Sequence, residues 1–300
     1  MTIVILAAGI GSRYGGLKQL EAVGPGGATI MDYSVFDARR AGCDTVVFVI
    51  RPQMQEAFDA SIGSRYRGHL CVEYAHQHLE ALPVGFAVPA GRTKPWGTGQ
   101  ALLVAERLVD GPFVAANADD FYGPTAFAAL GDFLRQAPTA TPPTFALVGY
   151  TLRDTLSESG AVSRGVCRST PDGWLESITE TLGLQRDGRG VRYVDARGQA
   201  HRLTGDEPVS MNLWAFHPPM FALLREGFET FLRDHGTSTT AEFYLPQVVQ
   251  DAMQRGHARV RVLPTQERWC GVTHPQDKAR VTQIVRGLID RGVYPEKLWN

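Results

Sequence analysis

A glycine-rich segment with two cations follows the first apolar run of the chain. It reads Leu6-Ala7-Ala8-Gly9-Ile10-Gly11-Ser12-Arg13-Tyr14-Gly15-Gly16-Leu17-Lys18. Glycines allow backbone N–H groups to approach an anion closely, and Arg13 and Lys18 supply the positive charge that a triphosphate requires. The segment therefore predicts a phosphate-binding loop at the carboxyl end of a first strand, with a nucleotide as its ligand.

The segment differs from the two best-known glycine-rich phosphate loops. A dinucleotide fingerprint needs a third glycine where this chain has Tyr14. The next predicted strand ends with Arg51 instead of the acidic residue that would hold a ribose hydroxyl. A Walker loop needs four residues between its glycines followed by Gly-Lys-Ser/Thr, and the segment lacks that pattern. NAD binding and a P-loop are therefore not predicted.

Two carboxylates stand at the end of another apolar run. Asp119 and Asp120 follow Phe113–Ala116, and doubly wound sheets place ligand groups at the carboxyl ends of their strands. Mg²⁺ is typically held by one or two carboxylates together with phosphate oxygens and water. We expect Asp119 to be the metal ligand, because Gly123-Pro124 begins a helix soon after and Asp120 is equally suited to a turn or cap.

The elements that must position these groups alternate between strands and helices over the first 150 residues. Such alternation is typical of a mostly parallel sheet with crossover helices. Residues Leu79 to Pro95 are rich in Pro and Gly and predict a loop across the mouth of the site. Strands are predicted at Thr2–Leu6, Thr45–Ile50, Leu70–Ala75, Phe113–Asn117 and Phe145–Tyr150, and helices at Ile30–Ala41 and Gly97–Leu108.

The chain changes character between about Ser159 and Phe216, where short strand-like runs are separated by glycine turns. These runs predict an antiparallel flank, and helices and one strand follow it. We therefore expect an α/β fold, a Rossmann-like doubly wound, mostly parallel sheet with a smaller antiparallel flanking sheet. The elements are strands at Val162–Cys167, Trp174–Thr179, Val191–Val194, Val209–Phe216 and Val260–Leu263, and helices at Pro218–Asp234, Glu242–Gln254 and Gln276–Arg291.

Composition narrows the class of partner. A formal charge of −1 without runs of like charge disfavours nucleic acid and membrane surfaces, so a small molecule is expected. The first apolar run breaks at Gly9, too early for a signal peptide or membrane span, and predicts a soluble cytoplasmic protein. Four widely separated cysteines indicate neither a zinc site nor a disulfide framework. The sequence leaves open whether the chain forms a homo-oligomer.

Taken in order, the motifs resemble those of the nucleotidylyltransferases that make NDP-sugars and related activated compounds. The likeness spans nearly the whole chain. It implies a nucleotide-diphospho-sugar transferase fold and transfer of a nucleoside monophosphate from an NTP to a phosphorylated acceptor, preferably a sugar 1-phosphate, with release of pyrophosphate. The motifs are Leu6-Ala-Ala-Gly-x-Gly-x-Arg with Lys18, Gln77, Gly97-Thr-Gly, Asn-Ala-Asp119, Ile178-Thr-Glu180, Asn212 and Glu242-x-x-Leu-Pro.

The resemblance also implies roles for single residues and a division of one 300-residue domain. Residues 1–150 would form the nucleotide-binding half and residues 151–300 the acceptor-binding half that carries the flank. Arg13 and Lys18 would be the catalytic cations, and Asp119 would bind Mg²⁺. Glu180 and Asn212 would bind the acceptor, with Ser210 as the alternative to Asn212. The nucleotide would be bound by Leu6, Ala7, Ala8, Gly9, Gly11, Ser12, Gln77, Gly97, Thr98 and Gly99.

Three departures from the family pattern keep alternatives open. The short spacing from Arg13 to Lys18 is closer to the cytidylyltransferases, so the base is undetermined. The lysine that usually follows the acceptor-binding glutamate is replaced by Thr181, which leaves Arg186 and Arg202 as candidates for the acceptor phosphate. Gly271 stands where a second metal aspartate is usual. The alternatives are a cytidylyltransferase for a non-sugar alcohol phosphate, such as phosphocholine or a polyol phosphate, and a catalytically silent nucleotide sensor.

Overall fold

The computed structural model describes residues 1–9, 21–136, 140–157, 160–188, 190–195, 197–271 and 275–299. The strands are β1 (Thr2–Leu6), β2 (Thr45–Ile50), β3 (Cys71–His76), β4 (Phe113–Asn117), β5 (Asp120–Phe121), β6 (Thr144–Thr151), β7 (Val162–Ser169), β8 (Leu175–Asp187), β9 (Gly190–Val194), β10 (Ala200–Leu203), β11 (Pro208–Phe216), β12 (Arg259–Pro264) and β13 (Cys270–Gly271). The α-helices are α1 (Ile30–Arg40), α2 (Gln55–Ser61), α3 (Thr98–Leu103), α4 (Pro124–Gln136), α5 (Pro219–His235), α6 (Leu245–Gln254) and α7 (Pro275–Asp290).

A large central sheet begins with four parallel strands in the order β3-β2-β1-β4. Strand β11 then pairs antiparallel with β4 and with β6, and β12 pairs parallel with β6. The register of β1 with its two neighbours places Leu6 opposite both Val49 and Asn117. The carboxyl ends of β1, β2 and β4 therefore meet at one edge of the sheet, as the sequence predicts for the ligand groups.

The antiparallel flank consists of β7, β8, β9 and β10. It joins the central sheet where β7 pairs with Val209 and Ser210 of β11. A separate small antiparallel sheet is formed by β5 and β13. The α/β class with a mostly parallel sheet and a smaller antiparallel flank is thus confirmed.

Helices cover both faces of the central sheet, as a doubly wound fold requires. The β1 side chains alternate, so that Ile3 and Ile5 pack on the side of α1 and α4 whereas Val4 packs on the side of α3, α5 and α6. The start of α1 is fixed by a capping box, in which Thr29 N donates to Asp32 Oδ2 at 2.6 Å and Asp32 N donates to Thr29 Oγ1 at 3.4 Å. No helix of the described residues is long and apolar enough to cross a membrane.

Several elements differ in length from the prediction because of contacts between distant parts of the chain. Helix α3 ends at Leu103, and a short 3-10 helix over Glu106–Leu108 replaces the rest of the expected helix. Helix α6 begins at Leu245 because Phe243 lies extended against the segment before α3, donating to Trp96 O at 2.6 Å. Strand β8 continues to Asp187, and strand β10 was not expected.

Candidate functional site

The site begins where β1 ends. Ala7 N donates to Val49 O at 2.8 Å and Ala118 N donates to Leu6 O at 3.3 Å, so the glycine-rich segment leaves the sheet between β2 and β4. Leu6, Ala7, Ala8 and Gly9 form its described start. The predicted residues Gly11, Ser12, Arg13 and Lys18 lie outside the described residues.

Arg51 is a cation at this edge that the sequence analysis did not assign to the site. It follows β2 directly, and its Nε donates to Ala8 O at 3.1 Å. Its position after the strand next to β1 is the signal that could have identified it. The guanidinium therefore adds positive charge beside the start of the predicted phosphate loop.

The groups predicted to contact the base lie together at the same edge. Gln77 follows β3, and its Nε2 donates to Gly97 O at 3.2 Å and to Gln100 Oε1 at 2.7 Å. Gly97 has a φ of 109°, and a Cβ there would lie 2.6 Å from Phe243 O. This glycine is thus required by its backbone conformation and by the close approach of Phe243.

The other two residues of the Gly97-Thr98-Gly99 turn also have structural contacts. Gly99 N donates to Phe243 O at 2.9 Å, and a Cβ on Gly99 would lie 2.6 Å from the Phe243 ring. Thr98 Oγ1 accepts from Leu245 N at 3.0 Å and so caps the start of α6. The Thr98 side chain therefore serves the fold.

A hydrogen-bonded chain of polar side chains crosses from β4 to β11. Asn117 Nδ2 donates to Asp120 Oδ2 at 2.8 Å, and Asn212 Nδ2 donates to Asn117 Oδ1 at 2.7 Å. Trp214 Nε1 donates to Asn212 Oδ1 at 3.0 Å and completes the chain. The structure thus links the Asn-Ala-Asp motif to the predicted acceptor residue Asn212.

Asn212 holds its side chain in place from an unusual backbone conformation. Its φ is 61°, within the irregular stretch of β11 between Ser210 and Trp214. Asparagine tolerates this left-handed region better than most residues, although it remains uncommon outside glycine. Ser210, the alternative acceptor residue, lies beside it, and its Oγ accepts from Asn212 N at 3.2 Å.

The two neighbouring aspartates have different surroundings. Asp119 is exposed in the turn after β4, whereas Asp120 is buried and also contacts the Tyr122 hydroxyl at 3.2 Å. Burial raises the pKa of Asp120 to about 8, and the charge of Asp119 acts in the same direction. Position 271 is close to this carboxylate, because a Cβ on Gly271 would lie 3.0 Å from Asp120 Oδ1.

Arg164 is a second cation that the sequence analysis missed. It lies on β7 opposite Thr181, next to the pair formed by Gly165 and the predicted acceptor residue Glu180. Its guanidinium stacks on Trp269 at 4.8 Å from the ring centroid, and its positive charge acts on both Asp120 and Glu180. Burial lowers the pKa of Arg164 and raises that of Glu180. Only the long-range pairing of the flank makes this placement visible.

The two arginines proposed to replace the missing lysine have hydrogen-bond or ion-pair partners elsewhere in the protein. Arg186 Nη2 donates to Arg153 O at 2.9 Å, and Arg202 forms an ion pair with Asp187 at 2.7 Å. Arg202 lies on β10, at the end of the strand order farthest from β1. Of these cations, Arg164 is the one whose charge acts on both Asp120 and Glu180.

The chain is similar to known proteins in the sequence of its first part and in its fold. Residues 3–82 match the model of the MobA-like NTP transferase domain. No curated protein sequence matches the chain significantly. Among solved structures, a UDP-glucose pyrophosphorylase complexed with UDP-glucose is similar with a TM-score of 0.59 and 14% identity, over 95% of this chain and 98% of that chain.

Two further solved structures share the fold. The inositol-1-phosphate CTP transferase from T. maritima has a TM-score of 0.61 at 13% identity, with 96% of each chain covered. A protein from Bacillus anthracis described as a glucose-1-phosphate thymidylyltransferase has a TM-score of 0.63 at 14% identity, with 95% of each chain covered. The match over residues 3–82 and the shared fold agree with the resemblance seen in the sequence: the first part of the chain matches an NTP transferase domain, and the chain as a whole has the fold of these nucleotidyltransferase structures.

Proposed function

We propose that the protein transfers a nucleoside monophosphate from an NTP to a sugar 1-phosphate, giving an NDP-sugar and pyrophosphate. The observation that carries the proposal is the bond between Asn117 and Asn212. It joins the end of β4, beside the predicted triphosphate loop, to the strand that anchors the flank with Glu180. Groups suited to two different substrates thus border one connected polar site, with the nucleotide on the side of residues 1–150 and the acceptor on the side of residues 151–300.

The proposed chemistry needs no covalent enzyme intermediate. An oxygen of the acceptor phosphate attacks the α-phosphorus in line as pyrophosphate leaves, so catalysis depends on positioning and charge stabilisation. We assign Arg13 to the β- and γ-phosphates and Lys18 to the charge that develops at the α-phosphoryl group. Arg51 adds charge at the start of the loop, where it holds Ala8 O.

Mg²⁺ is the proposed cofactor, and the residues present suit it. Asp119 and Asp120 offer hard carboxylate oxygens just after β4. Mg²⁺ is typically held by one or two carboxylates and keeps phosphate oxygens and water in its shell. Asp119 would hold the ion, which when bound neutralises phosphate charge. Asp120, buried and bonded to Asn117, positions the turn.

Glu180 is proposed to accept hydrogen bonds from acceptor hydroxyls. It lies on β8 opposite Gly165, with its side chain exposed to solvent. The nearby Arg164 charge suits an anionic acceptor. A sugar phosphate brings the hydroxyl groups that Glu180 would bind and a negative charge that Arg164 would favour from nearby.

A second candidate acceptor is a polyol phosphate, with CTP as the nucleotide. The short spacing from Arg13 to Lys18 favours it, and so does the fold similarity to the inositol-1-phosphate CTP transferase. The location of the protein in the cytoplasm stays a prediction from the sequence.

The test is pyrophosphate release by the purified protein with Mg²⁺, each of the four NTPs and either a mixture of sugar 1-phosphates or inositol 1-phosphate. Reactions without acceptor measure background hydrolysis. We expect release to require one NTP and a sugar 1-phosphate. Release with CTP and inositol 1-phosphate alone would favour the second candidate. Nucleotide binding without release for any pair would identify a silent sensor instead.

A further inference from the structure

The side-chain amides of Gln77 and Gln100 are hydrogen-bonded to each other, and backbone carbonyls fix the orientation of both. Gln100 Nε2 donates to His78 O at 3.3 Å and to Ala81 O at 3.5 Å, at the start of the loop between β3 and α3. If the Gln100 amide were reversed, its Oε1 would face two carbonyl oxygens and no donor. Because Gln100 is fully buried, water cannot compensate for such a reversal.

The fixed orientation of Gln100 determines that of Gln77. Gln100 presents Oε1 to Gln77, whose Nε2 donates to it at 2.7 Å and to Gly97 O at 3.2 Å. Both hydrogens of the Gln77 amide are therefore used. In the described part of the chain no group donates to Gln77 Oε1, so this amide offers a ligand an acceptor and no donor.

The acceptor lies where a base would have to bind. Gln77 follows β3 at the sheet edge where the glycine-rich segment begins, and it contacts the Gly97 turn at the start of α3. Helix α3 packs through Ala101 and Leu102 in the same cluster as Val4 and Ala8. Gln77 retains 9% exposure whereas Gln100 has none, so the first amide can meet a ligand and the second can only orient it.

Building on the proposed function, we infer that Gln100 is a specificity-determining positioning residue that makes the site read the base through an N–H of its Watson–Crick edge. A free glutamine can turn its amide and pair with either an amino or a keto base. A locked acceptor cannot do so. At a given position of the Watson–Crick edge, cytosine and uracil present a donor in one base and an acceptor in the other, and the same holds for adenine and guanine. An amide that can only accept must therefore discriminate within each pair.

The experiment measures NTP dissociation constants by calorimetry in the presence of Mg²⁺ and without acceptor. For the better-bound pair, CTP with UTP or ATP with GTP, we expect the wild-type protein to prefer one member by about tenfold or more. Gln100→Leu should reduce this preference at least about threefold, because only Gly97 O then orients Gln77. Gln77→Leu should bring the preference close to one. Gln247→Leu, at an exposed glutamine on α6, should leave it unchanged.

A second measurement does not depend on the folding of a variant at a buried position. An analogue of the preferred nucleotide with its Watson–Crick N–H groups methylated should bind the wild-type protein at least about tenfold more weakly. Equal binding of the analogue, or an unchanged preference in a folded Gln100→Leu protein, overturns the inference and leaves the proposed transfer intact. A wild-type protein that binds no NTP overturns both.

Discussion

Two regions of the site are built from different physical interactions. We call the region around Gln77 and Gln100 the base side, and the region around Asp119 and Asp120 the acidic side. Around Gln77 the contacts are neutral, and backbone carbonyls fix each amide. Around Asp120 they are charged, with a carboxylate whose pKa is raised by burial and a half-buried guanidinium on Arg164. In the first region the two amides are oriented without a ligand and Gln77 Oε1 stays open to one among the described residues, whereas the second brings two neighbouring aspartates together after β4.

This difference teaches which function each region can support. A preorganised neutral network discriminates between ligands by the donors and acceptors it offers, at little cost on binding. A charged cluster with an unfavourably buried carboxylate couples its stability to the ions and phosphates that enter. Substitutions on the base side should therefore change which nucleotide binds. Substitutions on the acidic side should change turnover and its dependence on metal and acceptor.

The largest effect should come from Asp119, the proposed metal ligand. Asp119→Asn keeps the shape of the side chain but removes its charge, so turnover should fall by about 10²-fold or more. NTP binding should also lose most of its enhancement by Mg²⁺, as measured by titration with and without the metal. Asp120→Asn should do so only partly, and Asp110→Asn, an exposed control, should change neither quantity. Full metal coupling in the Asp119 variant would transfer the ligand role to Asp120.

A smaller effect is expected at Glu180 on the flank. Glu180→Gln weakens the hydrogen bonds that acceptor hydroxyls donate, so the acceptor KM should rise by about tenfold while NTP affinity stays unchanged. Glu176→Gln serves as the matched control, because Glu176 lies on the same strand but pairs with Arg168. Steady-state kinetics with each substrate varied in turn makes the measurement. A fall in NTP affinity would place Glu180 on the nucleotide side and break the proposed division.

Much of this architecture follows from local sequence patterns. The apolar runs at Thr2–Leu6, Thr45–Ile50 and Phe113–Asn117 are strands with the predicted bounds, because each is fully covered by helices and reads as a continuous hydrophobic segment. Helix α1 agrees with its predicted bounds to within one residue. The sequence also predicts Gln77 and the Gly97 turn to serve one ligand, and the structure places them in contact.

The rest depends on contacts that no local pattern records. Arg164 comes near Glu180 only through the antiparallel pairing of β7 with β8. The orientation of the Gln100 amide depends on carbonyls of a loop whose sequence has no periodicity. The shortened start of α6 follows from Phe243 packing against Gly97 and Gly99. These are tertiary contacts that override the helical propensity of the local sequence.

The smallest effect should appear at Asn212, where stability and activity can be separated. Asn212→Gly permits the φ of 61° without strain, whereas Asn212→Ala forces a Cβ into the left-handed region at a cost of about 1 kcal/mol. Both variants lose the bond to Asn117 and should lose similar activity. Urea unfolding should therefore rank the alanine variant below the glycine variant while their turnover agrees. Equal stability would show that the backbone of β11 relaxes at this position, and unequal turnover would show that its conformation, besides the amide, serves the reaction.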